Sequence, residues 1–267
     1  MKSSPKRIDR RHFVQSSLLV SASMLTPRLT GQTASSELVI PSRDASLKFS
    51  PNGTPQTFKG NTVICHLPAQ CSLRDEMVLI HEELLHSSYV HTLGATSTDS
   101  YHMTVFPGAN DQDRSTSGWP SYVPMDASIE ECNRLVGERI ADASFNCRLP
   151  LRVRLDIEAT LARKLASTFT LSAVDAAEEK KMRDLRDQIS RIYGFRLTDH
   201  DTYRFHMTIS YQVAPMTDPE WGSYHQMFSR HVHHIAETLP VIELGVPEYC
   251  TFDNMFRFEP FHLLRCS

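Results

Sequence analysis

Tyr101-His102-Met103-Thr104-Val105-Phe106 and Phe205-His206-Met207-Thr208-Ile209-Ser210 say nearly the same thing twice. Each carries His-Met-Thr followed by a β-branched apolar residue, in a run crowded with aromatic and β-branched side chains, and this predicts a β-strand. Side chains at i and i+2 share a strand face. The spacing therefore sets His102 beside Thr104 and His206 beside Thr208, with Met103, Val105, Met207 and Ile209 on the opposite, core-facing side. By the same alternation, Arg204 joins the His206–Thr208 face as a candidate anion contact. Phe106 joins the His102–Thr104 face as a candidate stacking surface. One His-apolar-Thr-apolar match is common in a chain of this length, whereas an identical triplet in two strand-like contexts is not.

Working outward, 267 residues with 40 % hydrophobic content suit one large domain or two small lobes around a substantial core. No apolar run approaches a membrane span. The chain opens with Lys2, Lys6, Arg7, Arg10 and Arg11, followed by a modest apolar, Ser-rich stretch from Val14 to Leu25. Asp9-Arg10-Arg11-His12-Phe13-Val14 resembles a twin-arginine export signal, with a mitochondrial presequence or a basic cytoplasmic tail as the alternatives. The organisation expected is an export signal over 1–34, a linker over 35–45 and a folded domain over 46–267, in an exported protein that is periplasmic or extracellular.

The formal net charge is −3, to which the first 34 residues contribute +5, so the remainder carries −8. An acidic domain is poorly suited to coating long nucleic acid, where affinity comes from neutralising many phosphates. A small substrate fits the balance better. Six cysteines without a Cys-x-x-Cys pair are expected to be mostly free, buried thiols. His81-Glu82-Glu83-Leu84-Leu85-His86 misses a zincin signature, because its second histidine stands at i+5, off the first one's helix face. His231, His233 and His234 contain no i, i+4 pair and read as a solvated helix face. No metal and no cofactor is expected.

Between these landmarks, apolar spacing predicts helices over 73–89, 128–145, 173–193 and 221–238. Leu151-Arg152-Val153-Arg154-Leu155 alternates as a half-buried strand, and further strands are expected over 161–171, 241–244 and 248–258. Strands and helices mix without a regular parallel-sheet rhythm, so the fold class is α+β.

The doubled His-hydrophobic-Thr-hydrophobic pattern resembles the 2H phosphoesterase superfamily, which includes bacterial 2′,5′ RNA ligases and 2′,3′-cyclic phosphodiesterases. Gly60-Asn61-Thr62-Val63-Ile64-Cys65-His66 and Asp199-His200-Asp201-Thr202-Tyr203-Arg204, flanking the motifs, look like an uncharacterised bacterial and fungal branch. The resemblance implies two pseudo-symmetric lobes of mostly antiparallel sheet with flanking helices. Each histidine strand is expected at the centre of its sheet, lining a central cleft. It further implies His102 and His206 as a catalytic acid–base pair, Thr104 and Thr208 as phosphate donors, and Tyr211 at an aromatic position that follows the motif. Strict alternation puts Tyr211 on the core face, so a substrate role requires a bulge or a strand end. His66 and Tyr203 are remoter candidates. The function expected is metal-independent hydrolysis of a small cyclic or ester-linked nucleotide. A nucleotide-binding module without turnover and an RNA end-joining enzyme are the alternatives.

Overall fold

The structure is a computed structural model and describes residues 43–163 and 167–267. The expected export signal lies outside the described residues, as does most of the expected linker.

The chain runs α1 (Arg43–Lys48), β1 (Gly60–His66), α2 (Ser72–Leu85), β2 (Leu93–Ala95), β3 (His102–Asn110), α3 (Ile129–Asp142), β4 (Leu151–Leu155) and α4 (Ile157–Leu161). It continues β5 (Thr168–Ala173), α5 (Ala176–Tyr193), β6 (Phe205–Thr208), β7 (Ser210–Gln212), α6 (Asp218–Thr238), β8 (Ile242–Leu244), β9 (Glu248–Asn254) and β10 (Arg257–Leu263). The class is α+β, as expected. Residues 43–45, assigned to a linker by composition, are helical, and Ala45 is buried. The strand expected over 161–171 is shorter and later, because Asp156 caps a helical turn by accepting from the Ala159 N–H before β5 begins.

Two four-stranded antiparallel sheets carry the architecture, ordered β10-β9-β1-β3 and β6-β5-β4-β8, and β2 pairs with β7 in a small third one. The two large sheets contain the same unit. Strand β1, helix α2 and strand β3 form one copy, and β5, α5 and β6 the other, with the histidine strand outermost each time. Cys65 faces Met103 across one pair, and Phe169 faces Met207 across the other. Met103 and Met207 are completely buried.

Both histidine strands are therefore edge strands, against the expectation that they lie at sheet centres. β3 and β6 lie side by side without a shared ladder. An edge leaves backbone groups needing partners. Arg186 of α5 supplies one, donating from Nη1 to the Val105 carbonyl of β3 at 2.5 Å. The same guanidinium donates to the His200 carbonyl at 3.4 Å and stacks over the Tyr203 ring at 4.0 Å. Arg186 is wholly buried, and burial draws its pKa down to about 10. It thus pins β3 to the segment that leads into β6.

The helices follow their sequence signals. Ser128 accepts from the Glu131 N–H at the start of α3, and Thr217 with Glu220 forms a full capping box on α6. Gly194 ends α5 at φ 73°, where a side chain would be strained. His231 departs from the solvated reading. It is 8 % exposed, because its imidazole meets Glu83 at 3.0 Å and Glu76 at 3.6 Å on α2. All six cysteines are free thiols and four are buried.

Candidate active site

The edges of β3 and β6 border a cavity of about 430 Å³, a volume suited to a small ligand. His102, Thr104, His206, Thr208 and Tyr211 all line it. The alternation read from sequence holds over both triplets, where each histidine and threonine is half-buried and each methionine is inside.

The two imidazoles are held in the same way. His102 Nδ1 donates to the Ser100 carbonyl at 2.5 Å, and His206 Nδ1 donates to the Arg204 carbonyl at 2.9 Å. In both cases the acceptor lies two residues upstream, so Nδ1 keeps the proton in the neutral ring and Nε2 is the free basic atom. Burial is the first cause that lowers the pKa of His102, drawing it to about 3. The nearby charges of His66, His206 and Lys48 add to this, and the Ser100 hydrogen bond opposes it. Burial also lowers His206, with Arg163 and Lys48 assisting and the Arg204 carbonyl opposing. Phe258, at the C-terminal hairpin, packs edge-on against His102 with centroids 4.3 Å apart.

The hydroxyls are also positioned. Thr208 Oγ1 accepts from Thr168 Oγ1 at 3.3 Å, leaving its own proton available. Thr104 lines the cavity together with the Tyr203 phenol, whose pKa burial raises to about 12.

Phe106 is not in the cavity. Thr104 lies opposite Ile64 and Phe106 opposite Val63, so two steps along β3 answer one along β1. This β-bulge shifts the alternation by one residue. Phe106 turns into the core against Tyr193 and Phe195, and Pro107 takes the cavity-facing position. Arg204 is also elsewhere. It precedes β6, is exposed, and borders a neighbouring hollow with Asp156 and Glu158 rather than the histidine cavity.

Tyr211 meets the condition set for it. The Ile209 and Ser210 N–H groups both donate to the Ser167 carbonyl, at 2.7 and 3.4 Å. The chain then leaves β6 for β7, where Ser210 and Gln212 are buried and Tyr211 turns outward to the cavity.

Lys48 is the site residue that sequence reading missed. Its Nζ lies 2.8 Å from Asp44 and 3.4 Å from the Tyr211 hydroxyl. Burial pulls its pKa down, but the Tyr211 and Asp44 oxygens outweigh this and hold the ammonium charged. Phe49, the next residue, anchors it. The Phe49 ring occupies the space of a missing side chain at Gly94, where a Cβ would stand 2.6 Å from it. No motif marks Lys48, because it precedes His102 by 54 positions and comes to the site only through tertiary packing.

His66 sits directly opposite His102 on β1, with ring centroids 6.2 Å apart, and its Nδ1 bonds Glu248. Among the described residues, His66, Glu248 and Cys250 place three possible metal-ligand atoms within 4.8 Å of one another, a trio that sequence spacing does not reveal. Cys250 is fully buried, and burial raises the pKa of its free thiol.

The paired His-Thr strands of two antiparallel sheets thus share one cavity large enough for a small ligand. A family model described as 2H-phosphodiest, Domain of unknown function (DUF1868), matches residues 48–165, which include the first motif but not the second. This match spans fewer than half of the 267 residues. Among solved structures, the conserved protein of unknown function ATU0111 from Agrobacterium tumefaciens is 26 % identical. Its match covers 84 % of this chain and 93 % of its own, with a TM-score of 0.75. E. coli LigT is 14 % identical over 77 % of this chain and 95 % of its own, with a TM-score of 0.37. TT0787 of Thermus thermophilus is 13 % identical over 78 % and 98 %, with a TM-score of 0.35. These last two are too distant to say anything of this chain's chemistry. No curated protein matches the chain.

Proposed function

We propose that the protein is a phosphodiesterase that opens a small 2′,3′-cyclic or ester-linked nucleotide by paired histidine catalysis. The observation that carries this reading is the repeated arrangement in one cavity, with each imidazole tied through Nδ1 to the carbonyl two residues back and its Nε2 left free. Hydrolysis needs a base to take a proton from water and an acid to protonate the departing oxygen. His102, the more strongly depressed, is the neutral base at Nε2, and His206 delivers the proton from its own Nε2. Charge gathers on the equatorial oxygens of the phosphorane-like transition state, where the Thr104 and Thr208 hydroxyls donate. The two imidazoles supply both proton transfers, so the scheme requires no metal.

Phe258, Phe252 and Met255 give the cavity an apolar wall for a base or sugar. The basic, Ser-rich start of the chain supports export of the protein.

The test is incubation of the purified protein with 2′,3′- and 3′,5′-cyclic nucleotides and short RNAs ending in cyclic phosphate, with products identified by mass. A single added water on a cyclic nucleotide is expected. Binding without turnover on the whole panel would favour a binding module, and joined RNA ends would favour a ligase.

A further inference from the structure

Among the described residues that line the cavity, Lys48 is the one lysine or arginine, while Asp44 and Asp199 bring negative charge. A phosphodiester enters with a full negative charge and gathers more at phosphorus during transfer. In the proposed scheme His102 is the neutral base and His206 gives up its proton during the reaction, and hydroxyls donate hydrogen bonds without net charge, so a lasting positive charge must come from elsewhere. Arg204, the cation expected from strand alternation, borders a different hollow.

We propose that Lys48 is the phosphate-receiving cation of this site, binding a non-bridging oxygen between the two histidines. The inference rests on the phosphodiesterase reading for the identity of the substrate, but its anion-binding core can be tested without turnover. Three observations converge on it. The side chain is 15 % exposed, so its charge acts through little water. It lines the same cavity as both imidazoles and both motif threonines. Its ammonium is held over the Tyr211 ring at 5.0 Å and the Phe58 ring at 5.4 Å, which orients it without using up its donors. The hydrogen bond to the Tyr211 hydroxyl is long, at 3.4 Å, and is the one a phosphate oxygen would replace. Asp44 would stay as the partner that sets the strength of the site, since its carboxylate offsets part of the ammonium charge at 2.8 Å.

This arrangement predicts opposite effects from two neighbouring substitutions. Lys48→Met removes the cation and should weaken binding of inorganic phosphate at least about tenfold, the loss expected for a charged hydrogen bond. Asp44→Asn removes the offsetting charge at an exposed carboxylate and should tighten phosphate binding about threefold. Titration calorimetry with inorganic phosphate on the full chain at pH 7 reads both, with thermal melting to verify folding. Lys48→Gln replaces Lys48→Met if the latter does not fold. A folded Lys48 variant that binds phosphate within about twofold of wild type overturns the proposal. So does an Asp44→Asn protein that binds more weakly, or a wild type that shows no phosphate binding. Tight phosphate binding lost in Lys48→Met, with no turnover of any diester by wild type, would sustain the anion site and remove only the hydrolase reading.

Discussion

Lowering the pH from 7 to 5 separates an ordinary histidine base from the one in this cleft. An imidazole with its usual pKa of about 6.5 is about three-quarters neutral at pH 7 and about 3 % neutral at pH 5, a roughly 25-fold loss of base. His102 is drawn to about 3, by burial first and then by the charges of His66, His206 and Lys48. With that value about 99 % stays neutral at pH 5, so the loss of base is negligible. The sign is that of a depressed base, whose reactive form survives acidification and fails only near pH 3. His206 is lowered as well, so its proton-carrying fraction begins to fall on the acid side of 6.5. The profile of kcat/KM reports the free enzyme, to which these shifts belong. It should therefore be a bell displaced to acid pH, with activity at pH 5 at or above that at pH 7. Initial rates of 2′,3′-cyclic nucleotide hydrolysis from pH 4 to 9 at constant ionic strength measure it directly. The diester keeps one negative charge across that range, so the limbs belong to the protein. A kcat/KM that dropped more than about tenfold between pH 7 and pH 5, in protein still folded, would refute the assignment of His102 as the depressed base.

Other outcomes follow from the same placement. His102→Ala and His206→Ala should each lower kcat by about two to four orders of magnitude, the double variant being little worse, and Thr208→Val should cost about tenfold to a thousandfold; single-turnover rates measure all four. Phe106→Ala should destabilise the fold by about 3–5 kcal/mol in urea titrations, as for other buried phenylalanines, while KM for a nucleotide stays put; a raised KM with unchanged stability would return Phe106 to the substrate. Arg10→Lys with Arg11→Lys should leave the protein inside the cell and unprocessed, and cell fractionation that finds it exported normally would end the twin-arginine reading.

The strand triplets were legible because they use strictly local physics. A strand alternates its faces every residue, so His-Met-Thr by itself placed His102 with Thr104 and His206 with Thr208, and buried Met103 and Met207. The helix cap at Ser128 was likewise within reach of a few neighbouring residues. The alternation stopped being a guide where the backbone stepped out of register. The bulge opposite Val63 sent Phe106 into the core, and the step at Ile209–Ser210 brought Tyr211 out. Both steps depend on partners distant in the chain, which no local window contains. Charge placement was the other decision left to tertiary structure. Arg204 stands next to the second motif and faces elsewhere, whereas Lys48 stands far from either motif and reaches the cavity because Phe49 fills the space over Gly94. The pairing of two edge strands, with a buried Arg186 between them, also has no local signature, since a guanidinium can be held at 0 % exposure only once carbonyls and aromatic rings from separate segments have closed around it. Local alternation determined which motif side chains share a face; packing between distant segments determined which residues meet in the cavity.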